Sequence, residues 1–537
     1  MPHRTRRRTA SPRASSQVPQ APRWRAAHWA AAVLGGLALL AGAAGLFAGY
    51  AGLEVTQTEV GAIPVTVFQA QDAPPGPVVV VAHGFAGSRQ LMHPLAVSLA
   101  RAGYRALVFD FPGHGRHAQP LAGRIGDEAR AAALLDALAA VVDYARTLPQ
   151  GNAPLALLGH SMAGDIATRY ANDHAGVRAL VAVSPYLSLP VEQLPAVNLL
   201  FVYGAWEPPV IQAQGRAAVA AVADVAAAAV APETTYGSFA HGTARRLVIA
   251  DGVEHIGVLY SATTLRATVA WLRAAFGERA PAAIADGVDQ RPRWLGLYYL
   301  GVLLLAWPLT LRLPQVSAQR LGAGAAPGWG WRRFWPIAVA PALLTPLLLW
   351  PVPTDFLAIA IGDYIALHFG LYGLLTLIGL WRAGALPRLG DASVRALVTA
   401  VALVVVFETL ALSLPTDHFV ASYLPPPHRL ATVAALLVGT LLWCVADEWL
   451  TRGPAAPGAA YALTKALFLV SLMIAVALNL SELFFLVIII PAMLVLFLVY
   501  GLFSGWIYRR TGQPLVAAVS NALAFAGAIA VSFPLIG

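Results

Sequence analysis

The stretch Leu155-Ala156-Leu157-Leu158-Gly159-His160-Ser161-Met162-Ala163-Gly164 constrains this chain more than any other. Its leading apolar run is short enough for a buried strand. The small residues around Ser161 suit a tight turn, and Gly164 to Tyr170 suits a helix. A strand that enters a helix through so sharp a turn lifts the serine hydroxyl above the end of a sheet, and large neighbours have no room beside it. Ala163 takes the last position of the turn, where glycine is usual. A Gly-x-Ser between apolar residues also arises by chance, so the flanking sequence has to decide.

The flanks divide the chain. It has 537 residues, too many for one ordinary domain, and 58% are hydrophobic against 12% charged. That is a membrane-protein composition, but the apolar residues are unevenly spread. The net charge of +9 sits in Arg clusters beside apolar segments, which reads as topology signalling and gives no reason to expect a nucleic-acid partner. The single cysteine, Cys444, excludes an intrachain disulfide and a multi-cysteine zinc site.

Residues 1–26 read as a disordered basic tail, and residues 27–49 as an uncleaved transmembrane anchor. The apolar run is long for a signal peptide, and no clear cleavage site follows it. Residues 281–293 read as a linker, and 294–537 as a membrane domain of about eight helices. The expected spans are 294–311, 334–352, 356–380, 395–414, 429–447, 460–479, 482–505 and 514–535, nine with the anchor. If the stretch between anchor and linker lies outside the cell membrane, alternate loops on the cytoplasmic side carry Arg312, Arg320, Arg332 and Arg333, then Arg382, Arg388 and Arg395, then Arg452, then Arg509 and Arg510. The opposite loops are poor in arginine except for Arg429. This pattern predicts a multi-pass protein with a cytoplasmic N-terminus. Asp363, His368 and Glu408 fall within predicted spans, where they either line a path or pair with one another.

Residues 55–280 alternate strands and helices. Strands are expected at Pro77–Ala82, Tyr104–Phe109, Leu155–Leu158, Val177–Ser184, Asn198–Tyr203 and Arg246–Ala250, with helices near 90–102, 126–147, 212–230 and 260–276. Such alternation predicts a mostly parallel sheet with helices on both faces. The 189–197 connection is too short for a lid domain, which predicts an open cleft, and 231–245 suits a hairpin or rim.

With these residues in view, the stretch resembles an α/β hydrolase over its whole length. His83-Gly84-Phe85 stands where that family keeps its oxyanion loop, and Asp110-Phe111-Pro112-Gly113-His114-Gly115 resembles the Asp-x-x-Gly-x-Gly turn of esterases, lipases and related peptidases. Glu207 follows one strand and His255 follows the last, so that Ser161, Glu207, His255 keep the family's order of serine, acid, histidine. The resemblance implies Ser161 as nucleophile, His255 as base, Glu207 as the residue orienting it, and the N–H groups of Phe85 and Met162 as oxyanion donors. It calls for no cofactor and no metal. His83 is expected to support the oxyanion loop, Asp110 to anchor its turn, and His114 and His160 to be structural or rim residues.

In the membrane part, Asp447-Glu448-Trp449-Leu450-Thr451-Arg452 and Tyr508-Arg509-Arg510-Thr511-Gly512 resemble segments of the CAAX-prenyl-protease-like (CPBP) membrane proteins. Asn521 stands where that family keeps a histidine, and no second histidine is visible in Phe484-Phe485-Leu486-Val487. The expected whole is therefore an α/β hydrolase joined to an all-α polytopic transmembrane domain: a serine hydrolase of the carboxylesterase or lipase type, or a related peptidase, acting on an acyl-ester or lipid-like substrate on the extracytoplasmic side. The alternative is a transport or sensing protein whose hydrolase-like domain binds a ligand without turnover. Only an activated serine would react with a fluorophosphonate.

Overall fold

The computed structural model describes residues 25–72, 74, 76–123, 127–149, 154–284 and 287–537. The basic tail lies outside the described residues except at its end, as does part of the linker expected over 281–293.

The chain enters through helix α1 (Ala26–Ala48) and then forms strands β1 (Leu53–Val60) and β2 (Ile63–Ala70). This hairpin was not expected from the sequence. β1 is a largely exposed edge strand rich in polar residues, so it carries no apolar run. The turn that makes the pair is Gly61-Ala62, with Gly61 at φ +61° and Val60 opposite Ile63.

The remaining elements of this domain are β3 (Val78–Ala82), α2 (His93–Arg101), β4 (Arg105–Phe109), α3 (Glu128–Thr147), β5 (Leu155–His160), α4 (Met162–Asp173), β6 (Val177–Val183), β7 (Asn198–Gly204), α5 (Pro209–Ala223), β8 (Thr235–Tyr236), β9 (Arg245–Ala250) and α6 (Ala262–Phe276). The sheet order is β1-β2-β4-β3-β5-β6-β7-β9-β8. From β4 to β9 the pairs are parallel; β1, β2 and β8 run antiparallel to their neighbours. The segment expected as a hairpin or rim pairs β8 with β9. The central strands are Val-, Leu- and Ala-rich without polar alternation because both faces are covered. α3, α4 and α5 cover one face, and α2 and α6 the other. The sheet therefore presents all the loops that follow its parallel strands at one end.

The second part is all helical: α7 (Arg291–Leu309), α8 (Trp331–Leu349), α9 (Gly362–Arg382), α10 (Val394–Glu408), α11 (Leu414–Phe419), α12 (Leu430–Thr451), α13 (Ala460–Leu478), α14 (Leu480–Leu483), α15 (Phe485–Thr511) and α16 (Leu515–Ser532). A single π-helical turn, Thr409–Ser413, joins α10 to α11. α1 packs along α7 at close range. A Cβ at Gly42 would lie 2.6 Å from Tyr298 N, and one at Gly301 2.4 Å from Leu39 N. Small residues let two apolar helices approach backbone to backbone, which is how packing is gained where no water is left to expel.

The long helices run back and forth between two ends. At the far end, Val316 N–H bonds Thr511 O, Leu321 N–H bonds Gly512 O, Gly324 N–H bonds Arg452 O, and Ser393 N–H bonds Val316 O. The arginine clusters at 312–333, 382–395, 452 and 509–510 occupy this end's connections and helix termini. At the near end, Ala360 N–H bonds Pro534 O, and the chain's last residues pair with the hydrolase-like domain.

Among the described residues, eight helices are long and apolar enough to cross a membrane: Ala26–Ala48, Arg291–Arg312, Gly362–Arg382, Val394–Phe419, Pro427–Thr451, Ala460–Leu478, Phe485–Thr511 and Leu515–Ser532. α8, expected as a further span, is not among them. It begins with Arg332 and Arg333 and contains Pro336, Pro341 and Pro346, which lower its hydropathy. It nonetheless packs on α9 and α13 and runs from the far end to the near end as they do. Leu40, Leu347, Val438, Val495 and Leu498 are exposed on the bundle, as lipid-facing residues are.

Arg429, the exception in the arginine pattern, is fully buried at the near end. Its guanidinium donates to Ala530 O at 2.5 Å, to Phe533 O at 2.8 Å, and to Gly113 O of the hydrolase-like domain. Its role is to bolt the two parts together. Leu121 N–H to Leu535 O (2.8 Å), Leu535 N–H to Gly113 O (2.8 Å), Ser422 N–H to Ser88 Oγ (2.9 Å) and the Arg116–Asp417 pair (2.5 Å) complete the joint.

Candidate active site

β5 ends in the turn foreseen. Ser161 sits at φ +54°, ψ −120°, a conformation that costs a non-glycine residue on the order of 1–3 kcal/mol and persists only where its surroundings hold it. Ser161 N–H is tied to Val183 O at 2.8 Å, and Gly164 N–H to Ser161 O at 2.9 Å. A Cβ at Gly159 would lie 2.2 Å from Ala163 O. Ala163 itself is fully buried, so its methyl is accommodated where glycine is usual.

β7 and β9 deliver the partners. His255 Nε2 lies 2.9 Å from Ser161 Oγ, and His255 Nδ1 lies 2.5 Å from Glu207 Oε1. Glu207 is 4% exposed, and its other oxygen accepts from Ser184 Oγ–H and Gly204 N–H, both at 2.7 Å. With Nδ1–H donating to the carboxylate, Nε2 is left to accept from the serine, the tautomer that proton abstraction requires.

Two residues of this site were not singled out from sequence as parts of it. Ser184 follows β6 directly at φ +47° and donates to Glu207. His160 donates from Nε2 to His255 O at 2.9 Å, fixing the backbone that carries the His255 imidazole. Burial, with His255 beside it, pushes His160 down to about 3, so it stays neutral. A serine at a strand end next to the strand that precedes Glu207 was the available signal, but it is a weak one.

The other candidates have local duties. Asp110 accepts from Arg89 N–H (2.8 Å) and Arg116 N–H (3.1 Å), as expected of a turn anchor. Glu254 accepts from Ile256 N–H (2.6 Å) and Gly257 N–H (2.8 Å). His83 accepts from Phe111 N–H at 3.1 Å and donates from Nδ1 to Gly84 O at 2.8 Å, bracing the loop that carries Phe85; burial lowers its pKa. His114 bonds Pro112 O at 2.9 Å. Asp251 and His241 are exposed and join none of these contacts.

The Gly84–Ala86 loop passes directly over the serine. A Cβ at Gly84 would lie 2.9 Å from Ser161 Cβ, and Ala86 has φ +57°. Met162 opens α4, so its N–H has no partner within the helix. The cleft is not open on this side, contrary to the expectation drawn from the short 189–197 connection. The ring of Phe85 lies 4.3 Å from Phe485 and 6.5 Å from Phe533, and the Arg130 guanidinium stands 5.2 Å over it. The cover comes from the helical bundle, hundreds of residues away in the chain. Tyr186 and Trp206, after β6 and β7, remain exposed at the same end of the sheet.

Inside the bundle, His368 contacts Ser471 Oγ at 3.1 Å. Asp363 accepts from Phe356 N–H and Tyr364 N–H at the start of α9, and Glu408 is buried. These three do not pair with one another. Asp447 accepts from Lys465, Glu448 from Arg452 Nε at 3.0 Å, and Asn521 donates to Ser504 Oγ at 3.0 Å.

Sheet order, turn and loop positions define residues 53–276 as an α/β hydrolase domain, carried on a helical domain with the makings of a multi-pass membrane protein. The family described as serine aminopeptidase, S33, matches residues 73–216. A thermostable monoacylglycerol lipase from Bacillus sp. (strain H-257) is 28% identical over 123 residues, which are 23% of this chain and 45% of that lipase. The chain thus spans less than half the length of this relative. Among solved structures, a dienelactone hydrolase from Anabaena variabilis is 20% identical, covering 41% of this chain and 96% of its own, with a TM-score of 0.30. A Pyrococcus furiosus esterase is 15% identical, covering 41% and 92%, with a TM-score of 0.31.

Proposed function

We propose that this protein is a membrane-embedded serine hydrolase that cleaves an ester, most simply a lipid ester, through Ser161, His255 and Glu207. The observation that carries this reading is the imidazole of His255 held between Ser161 Oγ at 2.9 Å and Glu207 Oε1 at 2.5 Å. His255 Nε2 takes the serine proton as Oγ attacks the acyl carbon, and then gives it to the leaving alcohol. Water, deprotonated by the same nitrogen, releases the acid and restores the serine. Glu207 stabilises the imidazolium formed in both steps. The N–H groups of Phe85 and Met162 bind the oxyanion, each worth about 3–4 kcal/mol in comparable sites. The likeness to a monoacylglycerol lipase supports a lipid ester as substrate. Labelling of the purified protein by a fluorophosphonate tests the reading; a protein that never labels is a ligand-binding one.

The domain lies outside the cytoplasm in this reading. Support comes from the arginines gathered at the end of the bundle remote from the hydrolase domain, since such clusters stay on the cytoplasmic side. α8 then crosses as a ninth span. Reporter fusions after residue 280 and at the C-terminus are expected to report outside. A cytoplasmic signal from the fusion after residue 280 overturns the orientation.

The bundle is not an active prenyl-type protease. Its acidic pair is neutralised by Lys465 and Arg452, and Asn521 offers no titrating nitrogen where a histidine is needed. Ser161→Ala protein is expected to leave prenylated peptides uncut. Cleavage that disappears on adding Glu448→Gln would refute this.

A further inference from the structure

Near Phe85 the bundle holds a partly open apolar chamber of about 130 Å³ between α9, α13, α15 and α16. Phe369, Leu472, Leu486, Met493, Phe525 and Phe533 form its wall. Its one hydroxyl, Ser532, is already bonded to Ala528 O at 2.8 Å. A cavity so lined gives water no partners, and an apolar group can enter it without displacing any.

The chamber's wall adjoins the loop over the active site. Phe533 lines it and Phe485 precedes Leu486 of its wall, and both rings meet Phe85. Phe85 adjoins Gly84, which lies against Ser161. The wall of the chamber therefore touches the loop that lies against the serine. On the other side, the wall made by α15 is incomplete. Ala492 is exposed, and Ile489, Met493 and Leu496 are only half-buried, in a helix of which most residues face outward. An alkyl chain in the bilayer meets this wall without crossing water.

We propose that the chamber holds the carbonyl-proximal part of the acyl chain of the hydrolase's substrate: a long-chain ester of a membrane lipid slides its chain between α15 and its neighbours, past Phe85, and so brings its carbonyl to Ser161 while the rest of the chain stays in the bilayer. The proposal rests on the serine-hydrolase reading and adds to it the substrate class and a function for the bundle. Pro491 removes a backbone hydrogen bond from α15 at the level of the chamber, so the wall that must part is also the one with a break in its ladder.

The test uses the full-length protein in phosphatidylcholine vesicles with esters of one alcohol carrying either a butyryl or a palmitoyl group. Ala528→Phe fills the chamber from α16, and Ala492→Trp does so from the exposed face of α15, where misfolding is less of a concern. Each lost methylene contact in an apolar pocket changes selectivity by about tenfold or more, so the palmitoyl-to-butyryl ratio of kcat/KM should fall at least about tenfold in both variants. An unchanged ratio, or equal loss of both activities, overturns the proposal. A diazirine-bearing palmitoyl ester gives an answer independent of turnover. It should photolabel Met493 and Phe533 in wild-type and Ser161→Ala protein and fail to do so in Ala528→Phe. Chamber labelling in a protein that never reacts with fluorophosphonate defeats the hydrolase reading alone; fluorophosphonate reaction without chamber labelling defeats the chamber alone.

Discussion

Ser161→Ala is expected to abolish ester hydrolysis and fluorophosphonate labelling while the protein remains folded and inserted. The loss in kcat should be on the order of a million-fold, the scale seen when the nucleophile of such a unit is removed. The fold should survive because the turn is held by backbone bonds. Ser161 N–H to Val183 O and Gly164 N–H to Ser161 O do not involve the hydroxyl. Alanine meets the same φ of +54° with a side chain no larger than serine's. The hydroxyl's bond to His255 is worth about 1 kcal/mol to stability. The measurements are initial rates on a soluble ester, probe labelling, and the thermal unfolding midpoint. A variant that unfolds normally and still turns over substrate at the wild-type rate ends the hydrolase reading.

Glu207→Gln should lower kcat by about ten-thousand-fold, the size of effect that follows when the base is left in the wrong tautomer. The surroundings dictate which way the amide faces. Oε2 of Glu207 receives two donors, Ser184 Oγ–H and the obligatory N–H of Gly204. The amide oxygen must take that place, which turns the NH₂ toward His255 Nδ1. The imidazole then accepts at Nδ1 and carries its proton on Nε2, where it can no longer take one from Ser161. KM should change little, because Glu207 is buried and does not face the substrate. Asp110→Asn is the comparison. Its two oxygens accept from two backbone N–H groups, so an amide there opposes one donor with another. The cost falls on stability, about 1–3 kcal/mol, with a far smaller effect on kcat. A near-normal rate for Glu207→Gln together with collapse in Asp110→Asn would move the acid to Asp110.

The order of elements from β3 to α6, the turn at Ser161, and the positions of Glu207 and His255 after their strands were legible in the sequence. Each rests on a short-range pattern: an apolar run, small residues at a strained turn, a polar residue just past a strand's end. The spans of the bundle were legible for the same reason, since twenty apolar residues in a row state their own length requirement. α8 departs from this because its prolines and arginines dilute the signal while its packing on α9 and α13 still carries it from end to end.

What tertiary structure alone decided lies between segments far apart in the chain. Arg429 broke the arginine pattern because its partner is Gly113, 316 residues away, and a buried guanidinium follows its acceptors and not the charge rule. The connection 189–197 implied an open cleft, yet Phe485 and Phe533 close one side of it from the bundle. Ser184 and His160 gained their places only when β6 came to lie between β5 and β7, with β9 on the far side of β7. Local sequence specifies which atoms can bond, but distances across hundreds of residues are set by how the sheet is ordered and by how the bundle docks upon its loop-bearing end.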